Sequence, residues 1–64
     1  VSKYTMHEFE VEFKHETDLA VLVVYQGDEI WLPKSQIEGL IPAEEGDEIK
    51  ISIPEWIAEE KEML

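Results

Sequence analysis

Apolar and acidic residues alternate strictly over positions 8–13. Glu8, Glu10 and Glu12 hold one parity, and Phe9, Val11 and Phe13 the other. That is the two-residue period of a half-buried β-strand, and it predicts a first strand from about Tyr4 to Lys14 with the phenylalanines turned inward. His15, Glu16, Thr17 and Asp18 follow as turn material. Residues 19–25, LAVLVVY, are apolar on both parities, the pattern of a central strand covered on both faces. Gln26-Gly27-Asp28-Glu29 reads as a tight turn with Gly27 at positive φ, and residues 30–32 as a third strand. The first three strands therefore form an antiparallel meander.

Pro33 ends the third strand because it has no N–H to give a ladder. Residues 33–37 predict a single helical turn that tucks Ile37 under the sheet, and residues 38–45, with Gly39 and Pro42, a loop. Alternation returns after Gly46-Asp47, with Ile49, Ile51 and Ile53 inside and Glu48, Lys50 and Ser52 outside. Ser52 and Glu55 stand at capping-box spacing around Pro54, so a last helix is expected over residues 54–62. Ile53, Trp56, Ile57 and Met63 would dock it, with Glu55, Glu59 and Glu62 on the opposite stripe. The expected fold is mainly β, of the α+β class. It is a small, strongly curved antiparallel sheet or SH3/OB-like barrel of about four strands with one short C-terminal helix. An open sheet with the helix across one face is the alternative, kept alive by the doubly apolar second strand.

Sixty-four residues make a single domain, 1–64, with no room for a second core. A chain of this size buries only about 60% of its unfolded surface and has a net stability of roughly 3–10 kcal/mol. It has no cysteine, so neither a disulfide nor a thiolate metal site can hold it, which fits a reducing compartment. No apolar run reaches the ~20 residues of a membrane span, and no secretory leader is visible. The expected location is the cytoplasm.

Charge changes the picture most. Sixteen acids face five lysines for a net charge of −11, and arginine is absent. Gripping phosphate backbones needs clustered basic residues, so direct nucleic-acid binding is not expected, nor is binding to anionic lipid. An acidic surface suits a basic protein, since opposite potentials steer encounter. The 44% hydrophobic content and strict patterning argue against the disorder that acidity alone would suggest.

Reactive chemistry is harder to find. Ser2, Ser35 and Ser52 have no activating neighbours in a recognisable motif. His7 shares parity with Phe9 and reads as a core-edge residue, while His15 falls in a turn. The carboxylates Glu8, Glu10 and Glu12 share one wet face, whereas an acid–base pair needs two unlike environments. Metal-ligand spacing and a phosphate loop are both missing from the sequence. No catalytic residue, cofactor or metal is expected, and the chain reads as a non-enzyme.

A resemblance appears in Gly27-Asp28-Glu29-Ile30-Trp31-Leu32-Pro33-Lys34-Ser35-Gln36-Ile37 and again in Ile53-Pro54-Glu55-Trp56-Ile57-Ala58. The two blocks, in this order, resemble small bacteriophage and prophage proteins. Those proteins share an acidic glycine turn, Trp-(Ile/Leu)-Pro-Lys-Ser and a C-terminal Trp-aliphatic-Ala helix. Lys61-Glu62-Met63-Leu64 departs from their usual charged residue followed by Gly-Leu, and the first strand has no counterpart. Trp31-Leu32-Pro33 before a helical turn also looks like the close of an SH3 domain. The resemblance implies a phage or mobile-element origin and action in a bacterial host cytoplasm. It implies no activity and carries over no catalytic residue.

Two surfaces are candidates for function. Glu8, Glu10 and Glu12, recurring every ~6.5–7 Å along one face, together with Glu44, Glu45 and Asp47, form an acidic face. It would occlude a basic host or phage protein, for instance a nucleic-acid-binding enzyme, as a DNA mimic or anti-CRISPR-like inhibitor does. Tyr25, Trp31 and Trp56 form an aromatic alternative, the residue types that anchor interfaces, for an accessory module of phage replication or recombination. Trp31 has a structural reading too, packed on Trp56 or on the chain after Pro33. A small-molecule sponge is a further alternative and requires an oligomer, because so short a monomer has little concave volume. Monomer and homodimer both remain open. So does the plain reading that the charge serves solubility alone.

Overall fold

The computed structural model describes residues 5–64; Tyr4, the expected start of the first strand, lies outside the described residues. Four strands, β1 (Met6–Glu16), β2 (Ala20–Tyr25), β3 (Asp28–Pro33) and β4 (Glu48–Pro54), form one antiparallel sheet in the order β3-β2-β1-β4. A 3-10 turn at Lys34–Gln36 follows β3, and a helix, α1 (Glu55–Glu60), follows β4. The expected fold class holds: a four-stranded antiparallel sheet with one short C-terminal helix. β3 and β4 are the edges and do not pair with each other.

Strict alternation sets the core. Phe9, Val11 and Phe13 of β1, Val21 and Val23 of β2, Leu32 of β3, and Ile49, Ile51 and Ile53 of β4 are all buried on one face. Ile57, Ala58 and Met63 close over them from the chain's end. Ile37, Leu40 and Ala43, in the segment joining β3 to β4, are packed against the same cluster. Among the described residues, no polar or charged side chain is buried.

Several boundaries differ from expectation. β1 continues through His15 and Glu16, because the turn is made by the next four residues. Thr17 N–H donates to Ala20 O at 2.8 Å, and Ala20 N–H returns a bond to Thr17 Oγ1 at 3.2 Å. The strand accommodates this length with a bulge between Phe13 and His15, across which the register slips by one: Phe13 faces Val23, but His15 faces Leu22. A bulge of this kind switches side-chain parity. Thus His15 joins the outer face instead of a turn. Leu19 lies in the turn and is 82% exposed.

The β2–β3 turn is only Gln26-Gly27, both at positive φ (52° and 84°), as a two-residue hairpin of the primed type requires. Asp28 and Glu29 are therefore strand residues, and β3 is twice the expected length. The second strand is central, as its pattern suggested, but only one of its faces is covered. Ala20, Leu22 and Val24 stay half-buried on the outer face, sheltered by side chains of neighbouring strands and not by a second layer.

The helix also departs from expectation. Ser52 remains in β4, where it exchanges two 2.8 Å backbone bonds with Glu38, so no capping box forms. Pro54 occupies the N-cap without a side-chain bond, and Glu55 N–H donates to Thr5 O at 2.7 Å. Six residues are too few for a helix to hold itself. Burial of Ile57 and Ala58 holds it. Trp56, expected to dock, instead points away and is 47% exposed. The C-terminus closes with Glu62 N–H to Glu59 O (3.1 Å) and Met63 N–H to Ala58 O (2.7 Å), a Schellman motif with Glu62 at φ 59°. That pair of hydrogen bonds folds Met63 back into the core.

Candidate functional site

The outer face of the sheet divides into two zones. Antiparallel register places Glu8 opposite Ser52, Glu10 opposite Lys50 and Glu12 opposite Glu48. On its other side Glu12 faces Val24, which in turn faces Glu29. Acids from β4, β1 and β3 thus share this zone. Beyond the bulge the next row is His15, Leu22 and Trp31, drawn from β1, β2 and β3. His15 and Trp31 meet edge to face with centroids 6.5 Å apart. The outer face is acidic towards Glu8, Glu10 and Glu12 and apolar towards Trp31.

The second acidic cluster adjoins the first. Phe13 N–H donates to Asp47 O at 2.7 Å, and Gly46 N–H donates to Phe13 O at 2.8 Å, which pins the turn before β4 to the strand that carries Glu12. Glu44 and Glu45 lie exposed in that turn. Asp47 has a structural task as well: its carboxylate accepts the Glu44 N–H at 2.9 Å, while its own N–H donates to Glu44 O at 3.0 Å. Of the acidic set, Asp47 is therefore the member whose removal would also loosen a turn.

Lysines punctuate this surface. Lys14, in the bulge, reaches Glu29 at 3.6 Å, and Lys34 is ion-paired with Glu16. His7 Nε2 lies 3.0 Å from Glu55 Oε1, linking the start of β1 to the start of the helix and leaving the imidazole at the core's edge. Among the described residues, none of the ion pairs involves Glu8, Glu10 or Glu12. These carboxylates are exposed, and Lys50 stands across from Glu10 without forming an ion pair with it. No group of three His, Asp or Glu side chains among the described residues converges as a metal-ligand set.

The aromatic set is only partly brought together. A groove of about 530 Å³ runs along the β3 edge, lined by Tyr25, Asp28, Glu29, Ile30 and Trp31 and by Lys61 and Glu62 from the chain's end. Tyr25 and Trp31 both border it. Tyr25 sits edge to face on Phe9 with centroids 5.3 Å apart, and Trp31 is 45% exposed. Trp56 is not among the lining residues, and the aromatic neighbour of Trp31 is His15 instead of Trp56. Asp28 and Lys61 are not singled out as site residues by the sequence, and Glu62 is read there only as part of the helix's outer acidic stripe. Asp28 looked like a turn residue, and nothing local ties residues 61 and 62 to β3.

No described helix is long and apolar enough to cross a membrane. Comparison with protein-family models, curated proteins and solved structures gives no match for the chain.

Proposed function

We propose that the protein is a non-catalytic binding protein that uses its acidic outer face to cover a basic surface of another protein, of phage or host origin. A basic channel that normally holds nucleic acid is the natural target, which makes the protein a DNA mimic or anti-defence inhibitor of the phage type, acting in a bacterial cytoplasm. The observation that carries this reading is the continuity of Glu8, Glu10, Glu12 and Glu48 with the 44–47 turn, on a face that no other described element covers. Clustered surface carboxylates hold a strong field at low ionic strength and steer a basic partner to that face.

Binding of this kind depends steeply on salt and on the sign of the face. Replacing Glu8, Glu10 and Glu12 together by lysine should weaken capture of a basic nucleic-acid enzyme by roughly tenfold or more. The comparison is made by titration calorimetry at low and at physiological salt. Equal affinity of the triple variant and the native chain at low salt would remove the acidic face from the mechanism. A second reading, an accessory module using an aromatic patch, draws support from the grouping of Tyr25 and Trp31 on one groove.

A further inference from the structure

The two edges of the sheet are not equivalent. On β4, the outward backbone groups of Ser52 are taken by Glu38 at 2.8 Å in both directions. On β3, the ladder can be traced from one anchoring bond. Lys34 N–H donates to Leu19 O at 2.9 Å, one step beyond the Ala20–Pro33 pair. Hydrogen-bonded and non-bonded pairs alternate in an antiparallel ladder. Leu32 with Val21, Ile30 with Val23 and Asp28 with Tyr25 are therefore the bonded pairs, which agrees with a two-residue turn at Gln26-Gly27. Glu29 and Trp31 are the alternate residues. Their N–H and C=O groups point away from β2, along the open edge, and Pro33 adds a carbonyl but no N–H.

This edge borders the groove that holds Ile30, Tyr25, Trp31, Asp28, Lys61 and Glu62. We propose that β3 accepts an extended basic segment of a partner protein as a fifth strand, antiparallel to β3, with its backbone paired to Glu29 and Trp31. The inference rests on the basic-partner reading above and names how such a partner is held. Charge chooses the occupant. Asp28, Glu29 and Glu62 share the groove with Lys61, and Lys14 reaches Glu29 from β1, so acids still outnumber lysines there. A second copy of this chain would bring another net charge of −11 to the same edge, and like charges across a strand pair oppose pairing.

The pleat then sets the pattern of the segment. Directly opposed residues share a face, so partner residues opposite Glu29 and Trp31 lie on the outer face. A lysine or arginine fits there, its charge near Glu29 and its stem or guanidinium on the Trp31 ring. The intervening residues turn to the inner side, against Ile30 and Tyr25, and are apolar. Main-chain bonds supply affinity and alternate side chains supply specificity, as in strand addition generally.

The probe is the capped peptide Lys-Val-Lys-Val-Lys, compared with the same peptide N-methylated at its lysines or at its valines. The lysine N–H groups face β3 in the proposed pairing. Methylating them should weaken binding by about tenfold or more, and methylating the valines should leave it near native. Amide exchange at Glu29 and Trp31 should slow about tenfold or more on binding the unmethylated peptide. Glu29→Pro removes one outward N–H without touching a bond to β2 and should lose binding, with Glu29→Gln as the control for charge. Absence of peptide binding at low salt, equal binding of the two methylated forms, or unchanged exchange at Glu29 and Trp31 would each overturn strand addition.

The triple Glu8, Glu10 and Glu12→Lys variant separates this from the broader reading. Peptide binding that disappears in that variant, with no protection of β3 in the native chain, leaves the acidic face standing and removes the edge. Binding and β3 protection that persist in it keep the edge and remove the acidic face.

Discussion

The inner and outer faces of this sheet are built by the same strands and differ only in parity. Inside, among the described residues, twelve apolar side chains from four strands and the chain's end form one cluster without a buried polar side chain. Outside, acids from three strands stand in water and Trp31 is half uncovered. The inner parity is constrained along most of its length by neighbouring strands and the chain's end, and only at its margins, at Glu16 and Asp28, does it carry exposed acids. The outer parity answers to no lid. Its residues can be chosen for something other than the fold, within the limits of solubility and cross-strand repulsion.

Leu32 and Trp31 are adjacent in β3 and put this contrast in one peptide bond. Leu32 is 0% exposed and Trp31 45%. Leu32→Ala should cost about 2–5 kcal/mol, a large share of the stability of so small a domain, and should be read by urea denaturation. Trp31→Ala should cost less than about 1 kcal/mol, since only its contact with the outer-face row is lost. Equal losses at the two positions would mean that the outer face is part of the core after all.

The lid offers the next test. Glu62 holds φ 59° at the Schellman position, where glycine carries no Cβ penalty. The last turn of α1 also contains no basic residue to complement the dipole. Glu62→Gly should therefore stabilise the chain by about 1 kcal/mol, seen as a raised urea midpoint with an unchanged slope. No gain would mean that Met63 is held by packing alone and the cap adds nothing to closing the inner face.

Legibility followed the same division. The inward parities of β1 and β4 could be read from Phe9, Val11, Phe13 and from Ile49, Ile51, Ile53, since alternation is both the sequence signal and the cause of burial. The 3-10 turn after Pro33 and the inward Ile37 were equally plain. Three things were not. The bulge at Lys14 has no compositional mark, so the sequence places His15 in a turn although it meets Trp31 edge to face. Ser52 and Glu55 have capping-box spacing, but Glu38 takes the Ser52 backbone into a strand bridge, a tertiary contact with no local trace. Trp56 looked like a docking residue, yet Ile57, Ala58 and the returning Met63 already cover the core. Of the candidate surfaces, the acidic row was visible at once. The groove was half visible, because Lys61 and Glu62 meet β3 only through the fold.

The smallest expected effect is the most informative about the outer face. Glu12 and Glu48 are direct cross-strand partners, a like-charge pair that works against folding. Glu48→Lys replaces repulsion by attraction at an exposed site and should raise stability by about 0.2–1 kcal/mol at low salt, shrinking as salt screens the pair. The same substitution removes an acid from the zone proposed to meet a basic partner. If the acidic face serves solubility only, the variant gains stability and loses nothing in capture of a basic protein. If the face is the working surface, stability rises while affinity falls, with the loss largest at low salt. Opposite signs in the two measurements on one variant would show that Glu48 stands where it does in spite of the fold, and for the partner.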